Sequence, residues 1–559
     1  METDVLIVGG GPVGLALALD LAHRGVDFVL VEAGDGQVTH PKVSTVGPRA
    51  MEAFRRWGVA DAIRDAGWPA DHTLDIAWVT VVGGHELHRL SLGTAGRRPP
   101  PPYTPEPEAI CPQHWLAPLL TARLGVHPAG PVRLGTRLLG FTRLPDRVSA
   151  ALVDGAGVRT TVHAGFLVGC DGASSPVRKA CGIDAPERHR TRVLRNILFR
   201  APGLGAALGP RRALVHFVTE PGGQRYPLRS IDGRDLYRLT CPAGPADATR
   251  AVRRAVAPDV PVEVVSDSTW HLTHRVASRY RAGRVLIAGD AAHTLSPSGG
   301  FGLATGVGDA ADLGWKLGAE LAGWAGPGLL DTYETERRPV ALRSLEESHR
   351  NLRRTLDRRL SAALCDATAD GERARATLGR EIAESDPIRE FDAPDTHFAY
   401  RYASPAVVDE KVVAEEKVVM EDRTGPRRSG GSAADPWWNR TAVPGARAPH
   451  VWLGPGRSTL DLFGPDFVLL HFGAGAGSGA RYGDPEGLVR AFGDRRVPLR
   501  VVRCDDEETA RRYERPFVLV RPDGHVAWRG SAAPADPGRL ADLVRGAGAP
   551  GGGVGGAGG

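Results

Sequence analysis

The chain has 559 residues, 42% of them hydrophobic, and its 70 Lys and Arg against 65 Asp and Glu leave a formal charge of only +5. Basic residues are scattered rather than gathered into one stripe, which argues against a nucleic-acid partner, and no apolar run reaches the ~20 residues needed to span a bilayer. A chain of this length divides into about two to four domains.

The first stretch reads strand, glycine turn, helix, strand. Val5-Leu6-Ile7-Val8 is wholly apolar, as a parallel strand buried on both faces requires. Gly9-Gly10-Gly11-Pro12-Val13-Gly14 follows, then a helical run from Leu15 to Arg24, then the strand Phe28–Val31 with Glu32 and Ala33 at its end. In a G-x-G-x-x-G turn the glycines allow a tight bend and close approach of a pyrophosphate, and the helix start offers free N–H groups. A coincidental turn is the alternative, but the strand before, the helix after and the acid at the next strand end favour a dinucleotide site. Glu32 would accept from an adenosine ribose and repel a 2′-phosphate, which points to FAD or NAD rather than NADP.

Between about 70 and 180 short strand-like runs (74–82, 147–153 and 160–168) surround one helix near 113–124, and Pro99–Pro102 marks an exposed connection. Val168-Gly169-Cys170-Asp171-Gly172 is an acidic turn after a strand. Residues 183–280 alternate apolar and polar with Gly, Pro and Asp turns, the pattern of a mostly antiparallel sheet. His216, Tyr226 and Tyr237 fall there, as half-buried strand residues or as the lining of a substrate pocket.

Arg284–Ala288 is another buried strand. Asp290 follows, then Ser296-Pro297-Ser298-Gly299-Gly300-Phe301-Gly302 and a helical pattern carrying Leu303, Ala304, Val307, Ala311 and Leu317. An acid at a strand end can bind a ribityl hydroxyl, and the helix start would stabilise negative charge on a reduced flavin ring. That favours FAD over NAD. Residues 341–395 look helical and charged, 422–449 is rich in turn formers, and a second α/β pattern follows. Its strands are Phe467–Leu470, Leu499–Val502, and Phe517–Val520 with His525–Trp528 around the Asp523-Gly524 hairpin turn. Six cysteines, at 111, 170, 181, 241, 365 and 504, form no CxxC and read as small buried hydrophobes, neither disulfides nor a metal site. Glu2 and Asp4 beside an apolar run are unlike a secretory signal, so the expected location is cytoplasmic.

These motifs, in this order, resemble those of the class A flavoprotein aromatic hydroxylases related to para-hydroxybenzoate hydroxylase and phenol hydroxylase. The likeness runs from residue 3 to about 345, ending on Leu330-Asp331-Thr332-Tyr333-Glu334-Thr335-Glu336-Arg337. Ser458–Gly464 and Val520–Arg529 resemble the thioredoxin-like C-terminal domain of the longer members. The resemblance implies an α/β fold in which a Rossmann-like FAD-binding domain is interleaved with a β-sheet substrate domain. Its parts would be 1–182 (FAD), 183–280 (substrate sheet), 281–400 (FAD and long helices), a linker at 401–440, the thioredoxin-like domain at 441–545 and a disordered tail at 546–559.

By the same resemblance Gly9, Gly11, Pro12, Val13, Gly14, Glu32 and Ala33 hold the ADP half of FAD, with Lys42 and Arg49 approaching the cofactor. Gln113 contacts the flavin, Asp171 and Gly172 serve FAD and NAD(P)H, and Asp290 takes the ribityl chain. Ser296, Pro297, Gly299, Gly300, Gly302, Leu303 and Ala304 lie beside the isoalloxazine. Ala304 stands where many relatives have asparagine, and Ser296 where they often have proline. The implied activity is hydroxylation of a phenolic or polycyclic polyketide-type aromatic with NADPH (or NADH) and O2 through a flavin C4a-hydroperoxide. Baeyer–Villiger or epoxidising chemistry is the alternative. No metal is implied, the catalytic base is not identified, and the C-terminal domain, lacking CxxC, is expected to be structural or to serve a homodimer contact.

Overall fold

A computed structural model describes the chain apart from residues 43, 98, 126–130, 220–224, 245, 357–359, 410–435, 473–483 and 549–559. Most of the expected linker and nearly all of the expected tail therefore lie outside the described residues.

The first sheet runs 281–282, 285–287, 159–169, 2–8, 28–31 and 132–133 from edge to edge. Val5, Leu6 and Ile7 at its centre are fully buried, which is why the strand is apolar on both faces. The pairs at its middle are parallel, and Val8 aligns with Gly169 while Gly169 aligns with Ile287. Three strand ends are thus level, and the loops that follow them leave the same edge of the sheet, the place where open parallel sheets bind ligands. The helices Pro12–His23 and Phe301–Leu321 meet closely at Gly314, where a Cβ would fall 2.1 Å from the Asp20 carboxylate.

A second sheet has eight strands in the order 293–294, 263–276, 187–200, 236–242, 225–230, 215–219, 76–79 and 86–90. It is not confined to 183–280: its far edge is a hairpin borrowed from the first segment, and its near edge is the short strand after Asp290. Pairing is antiparallel except between 215–219 and 76–79. One face packs Phe199, Tyr237 and Leu239 against the helix Ala248–Ala255. The other face carries Arg229 and Arg238, which reach the first segment, and Trp78 and Phe217, which pack with Leu364, Leu378 and Ile382. There Arg229 donates to Thr45 Oγ1 at 2.8 Å, and the His40 ring nitrogen lies 2.7 Å from Ser266 Oγ.

The C-terminal sheet runs 499–504, 467–472, 517–520 and 526–530, its first pair parallel and the others antiparallel. Its core is not separate. Phe467, Phe492 and Trp528 pack with Trp315 and Trp324 of the flavin domain. Parts of the expected linker are also core: Tyr402, Val408 and Trp438 are buried, and the Val408 N–H donates to the Ala527 carbonyl. Gly546, expected in the tail, accepts from the Gly328 N–H at 2.9 Å. The cysteines depart from the expected burial: Cys111 and Cys504 are buried, Cys170, Cys181 and Cys241 are half-buried, and Cys365 is exposed. Among the described residues no helix is long and apolar enough to cross a membrane.

Candidate active site

The three loops at the level edge of the first sheet are in mutual contact. Gly9 has φ +113°, and a Cβ there would lie 2.3 Å from the Cys170 carbonyl; on Gly14 it would lie 2.0 Å from the Gly9 carbonyl. Gly289 has φ +61°, the Val13 side chain occupies the space where its Cβ would go, and Gly306 closes on the same Val13. Segments nearly 300 positions apart in sequence are therefore one structure, built by glycines where no side chain fits.

Glu32 accepts from the Gly10 and Gly34 N–H groups, each at 2.7 Å, which leaves each carboxylate oxygen a further lone pair. Ala33 beside it is exposed. Asp290 keeps exposed surface, yet burial within the surrounding protein pushes its carboxyl pKa up, while His293 and Lys42 oppose the shift. Accessible and hemmed in at once, it stands on the floor of a cleft, with no hydrogen-bond partner among the described residues. Ser296 is buried and its hydroxyl accepts from the Ser298 N–H, whereas Pro297 is exposed. Gly299 and Gly300 have φ +101° and +66°, the second forming the start of the helix Phe301–Leu321. Leu303 and Ala304 are buried in its first turn. A Cβ on Gly11, Gly300 or Gly302 would meet no protein atom within 4 Å.

Other expected residues have more than one duty. Gln113 Oε1 accepts from the Lys42 N–H at 3.0 Å, bringing those two together beside the cleft. Asp171 accepts from Ser175 Oγ at 2.5 Å and the Val177 N–H at 2.9 Å, so it caps the helix that follows it, after the turn at Gly172, φ +81°. Arg49 is turned inward, 2.9 Å from Glu52, which also pairs with Arg447 of the C-terminal part. The loop carrying Asp290 is braced from below. Asp309 accepts from the Gly289 N–H at 3.1 Å and Arg337 at 2.9 Å and lies 2.7 Å from His293 Nε2. That neighbourhood holds the Asp309 carboxyl below its ordinary pKa against the effect of burial.

Two of the substrate-sheet candidates lie away from this cleft. His216 and Tyr237 lie on the opposite face of the second sheet, on the wall of a separate cavity of about 250 Å³ with His72 and Arg212. Burial drives the His216 imidazole down to about 4, and the Tyr237 hydroxyl donates to the Arg234 carbonyl. Tyr226 aligns with Val218 on the same strand pair, but its side chain lies outside the described residues. The cleft-facing groups are their neighbours Arg229 and Arg238, paired across adjacent strands. Arg238 donates to the Pro41 carbonyl at 2.6 Å, and the Nε atoms of both arginines are buried without a partner.

A parallel sheet whose strand ends carry a glycine turn, an unpartnered aspartate and a glycine-rich helix start, covered by a second sheet, defines an FAD-dependent enzyme. The chain belongs to the FAD-binding aromatic-ring hydroxylases. The FAD binding domain family matches residues 2–348, and the family described as Aromatic-ring hydroxylase, C-terminal, matches 441–550. A structure of the rebeccamycin biosynthetic enzyme RebC, soaked with chromopyrrolic acid and holding 7-carboxy-K252c, is 57% identical, covers 98% of this chain and 99% of its own, and has a TM-score of 0.89. Aklavinone-11 hydroxylase, in a ternary complex with FAD and aklavinone, is 30% identical over 97% of this chain and 98% of its own, with a TM-score of 0.78. Tetracenomycin B2 monooxygenase-dioxygenase of Streptomyces olivaceus is 30% identical over 97% of this chain and 98% of its length. The protein is a flavin-dependent monooxygenase acting on aromatic rings.

Proposed function

We propose that its substrate is a planar polycyclic aromatic bearing a carboxylate, held between the flavin and the cleft-facing side of the second sheet. The observation that carries this is the pair Arg229 and Arg238. Burial lowers both, and for Arg238, pushed down to about 10, the neighbouring Arg229 charge adds to the effect. Neither is ion-paired with a carboxylate among the described residues, though the Glu108 and Glu390 charges partly oppose the shift at Arg229. Two half-buried guanidinium groups side by side, neither in a direct ion pair, suit an anion, and arginine forks match a carboxylate. On the same face of the sheet Trp78 and Phe217 are buried and stack at 5.3 Å with 12° between the rings, packed with Leu364, Leu378 and Ile382 into a rigid apolar flank. Both compounds named with the RebC structure are carboxylated by name, which agrees.

FAD fits the cleft. Gly9, Gly11 and Gly14 with Pro12 and Val13 would hold its pyrophosphate, Glu32 its ribose, Asp290 its ribityl chain, and the helix start from Pro297 to Ala304 its ring. Bound there, FAD would supply the redox chemistry of an oxygenation driven by reduced nicotinamide and O2. The protein binds and orients the substrate and excludes water with the sheet that covers the cleft. One full dinucleotide turn is present in the sequence, so NADPH or NADH visits transiently. Cysteines free of disulfides support a cytoplasmic location.

Aromatic carboxylates should stimulate NAD(P)H oxidation and gain one oxygen atom by mass spectrometry. Arg229→Met or Arg238→Met should raise KM for such substrates about 10- to 100-fold, the loss of a charged hydrogen bond, while leaving FAD affinity alone. Equal turnover of neutral and carboxylated analogues by the unaltered enzyme would defeat the proposal.

A further inference from the structure

One polar group in this chamber is used by nothing described so far. His397 belongs to the short helix Pro394–Phe398, and its neighbour Phe398 is buried and stacked on Trp438 at 5.1 Å. The backbone carrying the imidazole is therefore anchored. A Cβ on Gly47 would lie 3.2 Å from His397 Cε1 and 3.8 Å from Ala304 Cβ, and the Phe301 ring lies 5.3 Å from the imidazole. His397 thus overhangs the first turn of the helix Phe301–Leu321, the turn given to the flavin ring.

His397 and Arg229 both contact the chain at 45–47. Thr45, which accepts from Arg229, begins the short strand Thr45–Val46, and Gly47 comes two residues later. Two residues of extended chain span roughly 7 Å. The Arg229 guanidinium and the His397 imidazole therefore flank one short stretch of chain, residues 45–47. Half-buried, His397 has no hydrogen-bond partner among the described residues. Burial alone pushes it down to about 4, with no charged group contributing. At neutral pH it is an uncharged ring with one N–H and one open acceptor.

We propose that His397 is a specificity-determining residue that accepts a hydrogen bond from a hydroxyl or ring N–H of the substrate, at the end of the molecule away from its carboxylate. This rests on the aromatic-carboxylate reading above and extends it. A site built to bond a polar hydrogen rejects the analogue that lacks one, because its own acceptor is then left unpaired.

The test uses the FAD-loaded enzyme and two probes, 6-hydroxy-2-naphthoate and 2-naphthoate, with binding read from the change in flavin absorbance. The unaltered enzyme should prefer the hydroxylated probe by about tenfold. His397→Phe should remove that preference by weakening only the hydroxylated probe, and His397→Gln, which keeps an acceptor, should restore part of it. A preference unchanged in His397→Phe overturns the proposal, as does an equal weakening of both probes, the mark of a structural role. Failure of the unaltered enzyme to bind either probe would instead overturn the carboxylate reading, and this inference with it.

Discussion

Gly11→Ala should give a protein that folds and purifies normally but carries little flavin, with FAD affinity weakened about 100-fold. The backbone at Gly11 is ordinary, φ −69° and ψ 172°, so alanine brings no strain. Its Cβ would meet no protein atom within 4 Å. The cost to the apo-protein is limited to roughly 1 kcal/mol at a helix N-cap. What the methyl group can strike is the pyrophosphate, which must approach this backbone to bond its N–H groups. Each charged hydrogen bond lost there is worth about 1.5–3 kcal/mol, and one or two of them account for the expected loss. Gly14→Ala is the contrast. Its Cβ would sit 2.0 Å from the Gly9 carbonyl, so both fold and flavin binding should fail. FAD titration and thermal unfolding of the apo-proteins separate the cases. Tight FAD binding by Gly11→Ala would show that the pyrophosphate lies elsewhere.

The parts of the molecule legible in the sequence are those where backbone geometry dictates residue type. Gly9, Gly14 and Gly289 could be read because no Cβ fits there, and the apolar run Val5–Val8 because it is buried on both faces. The hairpin at Asp523-Gly524 was readable for the same reason: Gly524 has φ +83°. What could not be read depends on which side of an element faces the cofactor. Tyr237 and Arg238 are consecutive on one strand and so point to opposite faces. Alternation shows that the faces differ, not which one the flavin domain will cover, and choosing the aromatics selected the outer face. The usable signal was a charged residue recurring in register with apolar ones, as in Leu236-Tyr237-Arg238-Leu239. His397 had no signal at all, since its neighbours Gly47 and Ala304 are distant in sequence. Asp171 and Arg49 show a further limit: a motif names a residue without saying that helix capping or a buried carboxylate already engages it.

Arg521→Leu should destabilise the protein by roughly 3–5 kcal/mol, the usual result of removing one partner from a buried ion pair. Arg521 comes from the C-terminal sheet and is fully buried between two helices of the flavin domain. It reaches Glu336 at 2.7 Å, Asp312 at 2.9 Å and Asp523 at 2.7 Å, while Lys316 bonds Asp312 and Glu336 from the other side. Burial with the Glu336 and Asp523 charges holds Asp312 well above its ordinary pKa despite Lys316, whereas Arg521 and Lys316 hold Glu336 down and Arg521 holds Asp523 down, both against burial. Glu336 and Asp523 therefore add stability above their unfolded pKa of about 4 that is lost as acid protonates them. Without Arg521 much of that contribution is lost: Lys316 still faces Glu336 and His525 still faces Asp523, but less charge opposes burial, so both carboxyls rise and the variant loses less than the unaltered protein as pH falls. Its deficit should be smallest near pH 5 and grow toward pH 8 in urea unfolding followed by fluorescence. The neighbouring Arg337 binds Asp309, which in turn holds the Gly289 N–H beneath Asp290, so FAD affinity should fall along with stability. A deficit independent of pH would mean that these carboxylates do not lean on Arg521, and the C-terminal domain would then need another reason to bury its charge in the flavin domain.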